Sequence, residues 1–186
     1  MILGNIRKNN KNIKHKNMKR ISILVMVFAT MSFSLFAQKS KNIVDIAAGS
    51  SDFTTLVTAL KAADLVSALE ADGPFTVFAP TNDAFAKLPA GTVETLLKAE
   101  NKAKLSNILT YHVVSGKLDA AAVIDAIKKG KGKAVLTTLS GAKLTASIVQ
   151  GKVVLTDENG GQTTVTTADL KATNGVIHVI DGVLLP

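Results

Sequence analysis

The chain has no cysteine and no tryptophan, one tyrosine and four prolines among its 186 residues. Without cysteine there is no disulfide framework, no thiolate metal centre, no cysteine nucleophile and no acylated cysteine to anchor a lipoprotein. Stability therefore has to come from an apolar core. Acid is missing from one place: residues 1–37 contain Arg7, Lys8, Lys11, Lys14, Lys16, Lys19 and Arg20 and no Asp or Glu. Those seven account for most of the formal net charge of +8; the other fifteen bases face all fourteen acids, so the rest of the chain is close to neutral. A basic protein of this kind would ordinarily suggest nucleic acid as a partner. Confinement of the excess to one end argues against it.

Several chemical signatures are also missing. There is no His-Glu-x-x-His and no second histidine at helical spacing from His112 or His178, so a zinc site is poorly supported. No Gly-x-Ser-x-Gly, Gly-Lys-Ser/Thr or Gly-x-Gly-x-x-Gly occurs to present a nucleophile, hold phosphates or bind a dinucleotide. Asp157 and Glu158 are adjacent carboxylates, but they lie in a turn beside Asn159 and Gly160. With no nucleophile–base or acid–base set to name, the expectation is a protein that is not an enzyme and holds no cofactor and no metal.

What is present begins with an uncharged, mostly apolar stretch, Ile21 to Phe36, closed by Ala37-Gln38. A basic segment, a short apolar run and a small residue make up the layout of a secretory signal peptide. The run is shorter than the roughly 20 residues needed to span a bilayer. The expected division is a signal peptide over 1–37 and a single domain over 38–186, secreted, extracellular or periplasmic, with no stable membrane span after cleavage. The alternative is an uncleaved anchor. The basic segment is long, and Met18-Lys19-Arg20 would make a more ordinary start.

Ile43, Val44, Ile46 and Ala47 give one helical face, and Phe53, Leu56, Val57 and Leu60 another after Ser51-Asp52. A short helical piece follows around Leu65 to Glu70. Asp72-Gly73-Pro74 is a turn, Phe75 to Ala79 a strand, and Pro80 its end. Thr81 or Asn82 can cap a helix through Phe85 and Leu88. Val93, Leu96 and Leu97 fit a further helix. Leu105, Ile108, Leu109 and His112 fit another, and Asp119 to Ile127 one more. Beyond Lys128, glycines punctuate β-rich runs: a hairpin around Gln150-Gly151-Lys152, a turn over Asp157 to Gly161, and a final central strand, Val176 to Ile180. Helices first and strands later indicate an α+β domain. His112 and His178, each on an apolar face, read as buried rings that lock neighbouring backbone. Lys128, Lys129, Lys131 and Lys133 read as a solvated loop, with acidic polysaccharide or a membrane surface as the functional alternative.

Three ordered segments resemble the fasciclin-like domain family: Phe75-Thr76-Val77-Phe78-Ala79-Pro80-Thr81-Asn82-Asp83-Ala84-Phe85, Tyr111 to Leu118, and Asn174-Gly175-Val176-Ile177-His178-Val179-Ile180-Asp181 with Val183 to Pro186. The match extends from about Asn42 to Pro186. The resemblance implies a fasciclin-like fold, with a short-strand, β-sandwich-like core and several helices packed at one side. It implies cell adhesion: a cell-surface or extracellular-matrix module of protein binding, its partner a protein or polysaccharide. It assigns structural roles to Thr76, Pro80, Thr81, Asn82, Asp83, Phe85, Asn174, Gly175 and His178, with Asn174-Gly175 expected to make the tight turn into the last strand. In animal matrix members, integrin recognition is associated with a Tyr-His segment and an Asp-Ile pair. Tyr111-His112 matches the first. Asp169-Leu170 stands at the second, with Leu for Ile and Lys171 where an apolar residue is expected. The other functional readings are a binder of matrix polysaccharide or of a small ligand and, last, a secreted enzyme.

Overall fold

The structure, a computed structural model, describes residues 41–186. The expected signal peptide and start position lie outside the described residues. Six short helices come largely first: α1 Ile43–Ala48, α2 Thr54–Ala62, α3 Val66–Glu70, α4 Asn82–Ala86, α5 Thr92–Leu96 and α6 Lys102–Tyr111. Strand β1, Phe75–Pro80, is inserted among them, and β2, Val113–Ser115, follows them. Helix α7, Ala120–Lys129, then leads into β3 Lys133–Thr137, β4 Lys143–Val149, β5 Lys152–Thr156, β6 Gln162–Ala172 and β7 Gly175–Ile180. At five to ten residues the helices are too short to persist alone, so caps and packing must hold them. Asn42 and Asp45 form a capping box at α1, Thr81 accepts from the Ala84 N–H at α4, and Asp119 accepts from the Ala122 N–H at α7.

The strands form one sheet in the order β2-β1-β7-β6-β5-β4-β3. Only β1 and β7 run parallel; every other pair is antiparallel. The sheet curls until its two edges meet. Val114 bridges Thr138, and the Leu139 N–H donates to the Val113 carbonyl at 2.7 Å. The sandwich-like core is thus made by a single, nearly closed sheet. Closure protects edges that would otherwise recruit other chains.

Alternate residues of the central strands enter two different cores, as the period of two demands. Val77, Ala79, Ile177 and Val179 face the helical core with Leu56, Leu60, Leu105 and Leu109. Phe78 and Ile180 face the core inside the curl, with Tyr111, Val123, Ile127, Leu144 and Leu155. This explains the almost wholly apolar composition of β1 and β7, since both faces are covered.

Two expectations are refined. Ala172 pairs with Gly175, so Thr173 and Asn174 make the β6–β7 turn and Gly175 is already in the strand. Its glycine is required for close approach: a Cβ there would lie 2.0 Å from the Phe75 carbonyl oxygen. Thr81 caps α4, whereas Asn82 works on α2: its Oδ1 accepts from the Thr55 N–H and its amide donates to the Ser51 carbonyl.

Candidate functional site

Helix α6 ends at Tyr111-His112, and the two side chains diverge into the two cores. Tyr111 is fully buried. Its hydroxyl donates to the Lys143 carbonyl at 2.8 Å and accepts from the Glu158 N–H at 3.2 Å. Burial pushes its pKa upward, with Asp157 and Glu158 adding to the rise against the Glu158 backbone bond. His112 donates from Nδ1 to the Ile108 carbonyl at 2.8 Å, and its Nε2 accepts from the Leu184 N–H at 3.0 Å. An acceptor nitrogen requires the neutral ring. Desolvation lowers its pKa to about 4, partly opposed by the Ile108 bond.

Both residues converge on the segment after β7. Leu184 is buried, the Leu185 N–H donates to Asp157, and the Asn159 amide donates to the Leu185 and Pro186 carbonyls. Tyr111 holds the β5–β6 turn from below, and that turn grips the segment that His112 holds from the other side. The adjacent carboxylates Asp157 and Glu158 thus have structural work: Asp157 also orders its own turn through Asn159 and Gly161, and Glu158 accepts from the Lys143 N–H.

The other expected partner residues lie elsewhere. Asp169 is half-buried in a left-handed conformation (φ 61). Its carboxylate accepts from the Ala120 N–H at 2.8 Å, at the start of α7. Leu170 packs against the helical core. Asp169 approaches the second histidine instead: its N–H donates to Nδ1 of His178 at 3.4 Å, and Nε2 of His178 reaches the Leu118 carbonyl at 2.7 Å. His178 stacks on Phe78 with ring centroids 5.6 Å apart. Tyr111 and His112 therefore form one group and Asp169 and His178 another. Neither Tyr111 nor His112 presents its side chain to solvent.

The motif residues behave as fasteners. Thr76 donates to the Gly116 carbonyl and accepts from the Leu118 N–H. Asn174 accepts from the Ile43 N–H and donates to the Leu69 and Ala71 carbonyls, tying α1 and α3 to the last turn. Phe85 and Pro80 are buried, and Asp83 lies exposed in the first turn of α4, where a negative charge suits the helix dipole. Beside Asn174 opens a polar cleft of about 660 Å³ lined by Asn42, Asp45, Glu70, Asp72, Lys117 and Thr173. Sequence reading did not anticipate it, because its walls come from segments far apart in the chain. Among the described residues no helix is long and apolar enough to cross a membrane.

A curled seven-stranded sheet with a helical layer, fastened by Tyr-His and Asn-Gly segments, defines an α+β domain of one fold class. The family model for the Fasciclin domain matches residues 51–186, and the chain belongs to that family. It is 58% identical over 144 residues to Protein sll1483 of Synechocystis, covering 77% of this chain and 73% of that one. It is 39% identical over 145 residues to transforming growth factor-beta-induced protein ig-h3 of Sus scrofa, covering 77% of this chain and 19% of that one. A solved FAS1 domain pair from the insect cell adhesion molecule Fasciclin I superposes with a TM-score of 0.68 at 20% identity. The match covers 78% of this chain and 51% of that chain, so the likeness is one of fold.

Proposed function

We propose that the protein is an exported, non-catalytic adhesion module that acts at the cell surface or in the surrounding matrix through its outer surface. The observation that carries this reading is the use made of the chemically capable side chains. Tyr111, His112, Asp169 and His178 are engaged with backbone groups, which leaves recognition to surface shape and charge. On this reading Tyr111 and His112 serve binding by holding the surface that a partner touches. The fold shared with a protein named as a cell adhesion molecule is in keeping with this reading. One domain binds weakly, so surface density supplies avidity. The leader reading supplies the address, with cleavage after Ala37.

Beads coated with the protein test it. They should adhere to cells that produce the protein more than beads coated with the heat-unfolded chain do. Equal adhesion removes the reading, and N-terminal sequencing of exported protein should begin at Gln38. The polar cleft beside Asn174 favours a second reading, a small polar or saccharide ligand. Specific retention on a glycan array without bead adhesion would select it.

A further inference from the structure

One end of the β3–β4–β5 meander carries a combination that the fold does not use. The β4–β5 hairpin closes on Gln150-Gly151, both left-handed (φ 50 and 78), as a two-residue type I′ turn requires. Just before it, Ile148 and Val149 are 42% and 48% exposed. Lys152 pairs with Val149 and Lys133 with Ser147, so the register puts both lysines on the same outer face as Val149, while Ile148 lies on the opposite face, exposed where the hairpin end runs past the buried Leu144 and Ala146. The exposed Lys128, Lys129 and Lys131 lead straight into Lys133. From Ala120 to Thr156 six lysines stand against one acid, Asp125. Among the described residues the ion pairs are Lys87–Asp181 and Lys102–Asp64, and none of these lysines takes part. Lys128 and Lys129 complement the C-terminal dipole of α7. Lys131, Lys133 and Lys152 have no such duty.

We propose that this hairpin tip docks on an anionic lipid bilayer, with the lysines over the headgroups and Ile148-Val149 at the boundary with the acyl chains. The aliphatic pair selects lipid over an acidic polysaccharide. A polyanionic glycan would engage the lysines and gain nothing from two exposed branched side chains. A bilayer uses both, because interfacial binding adds apolar burial to electrostatic attraction. The proposal is independent of the adhesion reading: it concerns where the domain rests, not what it holds.

The absence of cysteine makes the test clean, since Q150C creates a single position for an environment-sensitive fluorophore. In the full chain, this label should shift to the blue with vesicles of phosphatidylcholine mixed with phosphatidylglycerol, and not with phosphatidylcholine alone. The same label at E100C, on the helical layer, should not respond. K131Q/K133Q/K152Q should weaken partitioning about a hundredfold, at roughly fivefold per lysine. I148S/V149S should weaken it about tenfold with the lysines intact. Both sets of substitutions are on the surface, and unchanged melting temperatures establish that the fold is retained. The proposal is overturned by no shift at Q150C, by an equal shift at E100C, by an unaffected I148S/V149S, or by retention on heparin without a vesicle response.

Discussion

The helical core and the core inside the curled sheet share two strands but are assembled by different means. Helices of five to ten residues supply the first, and they stand only because long-range fasteners hold their ends: Asn82 on α2, and Asn174 on α1 and α3. The second is built by consecutive hairpins from β3 to β7, whose pairing joins neighbours in sequence, with Tyr111 and His178 among the side chains that tie it to the rest. The difference teaches that the parts which look simplest in sequence, short amphipathic helices, depend most on distant residues.

The largest test asks whether the cores are separable. Leu60→Ala in the helical core and Leu155→Ala in the other should each cost about 2–5 kcal/mol. Because β1 and β7 line both, each variant should unfold in one calorimetric transition. Two transitions in either variant would show that the cores melt independently.

The pH response should single out His112. His112 has a folded pKa of about 4, against an ordinary 6.5. The unfolded chain therefore binds the proton more readily between these values. The neutral ring's contribution is complete above pH 6.5, and it falls as the pH drops toward 4, by about 3 kcal/mol. Urea midpoints at pH 7 and pH 4.5 measure this. H112N should reduce the difference; an unchanged difference would assign the acid sensitivity elsewhere.

Smaller effects should come from single ties. Tyr111→Phe removes one hydroxyl that serves two backbone groups and should cost about 1–3 kcal/mol in chemical denaturation. Asp169→Ala removes the acceptor at the start of α7 and should cost about 0.5–2 kcal/mol, nearer the lower value because Asp119 still caps the helix. Tyr111→Phe stability equal to the parent, together with lost bead adhesion, would instead place that hydroxyl in recognition.

Much of this was legible from residues 43–129. Periodicity and caps located the helices, and Val176 to Ile180, apolar but for His178, announced a central strand. The eleven-residue β6 escaped notice. Its register slips between Val165 and Thr167 and again between Thr167 and Leu170, which breaks the alternation that marks a strand. Strand β2, three residues long, merges with the end of α6. Tyr111-His112 was found as a motif and His112 was read as a buried ring, but the partners of Tyr111 were not legible, because residues 143 and 158 reach it from another part of the chain. The pairing of Asp169 with His178 was likewise invisible, since a left-handed Asp in a bulge leaves no periodic trace.

The place of β7 has a temporal consequence. This interior strand, held between β1 and β6, is the last of the seven to leave the ribosome, and the Ile43 N–H must wait for Asn174, 131 positions later, to receive its partner. Until then β1 has only the three residues of β2 beside it. High sequence separation of this kind slows folding. It also leaves both cores without a strand they share until synthesis is nearly over. That is the condition in which a polypeptide can still be passed through a narrow pore.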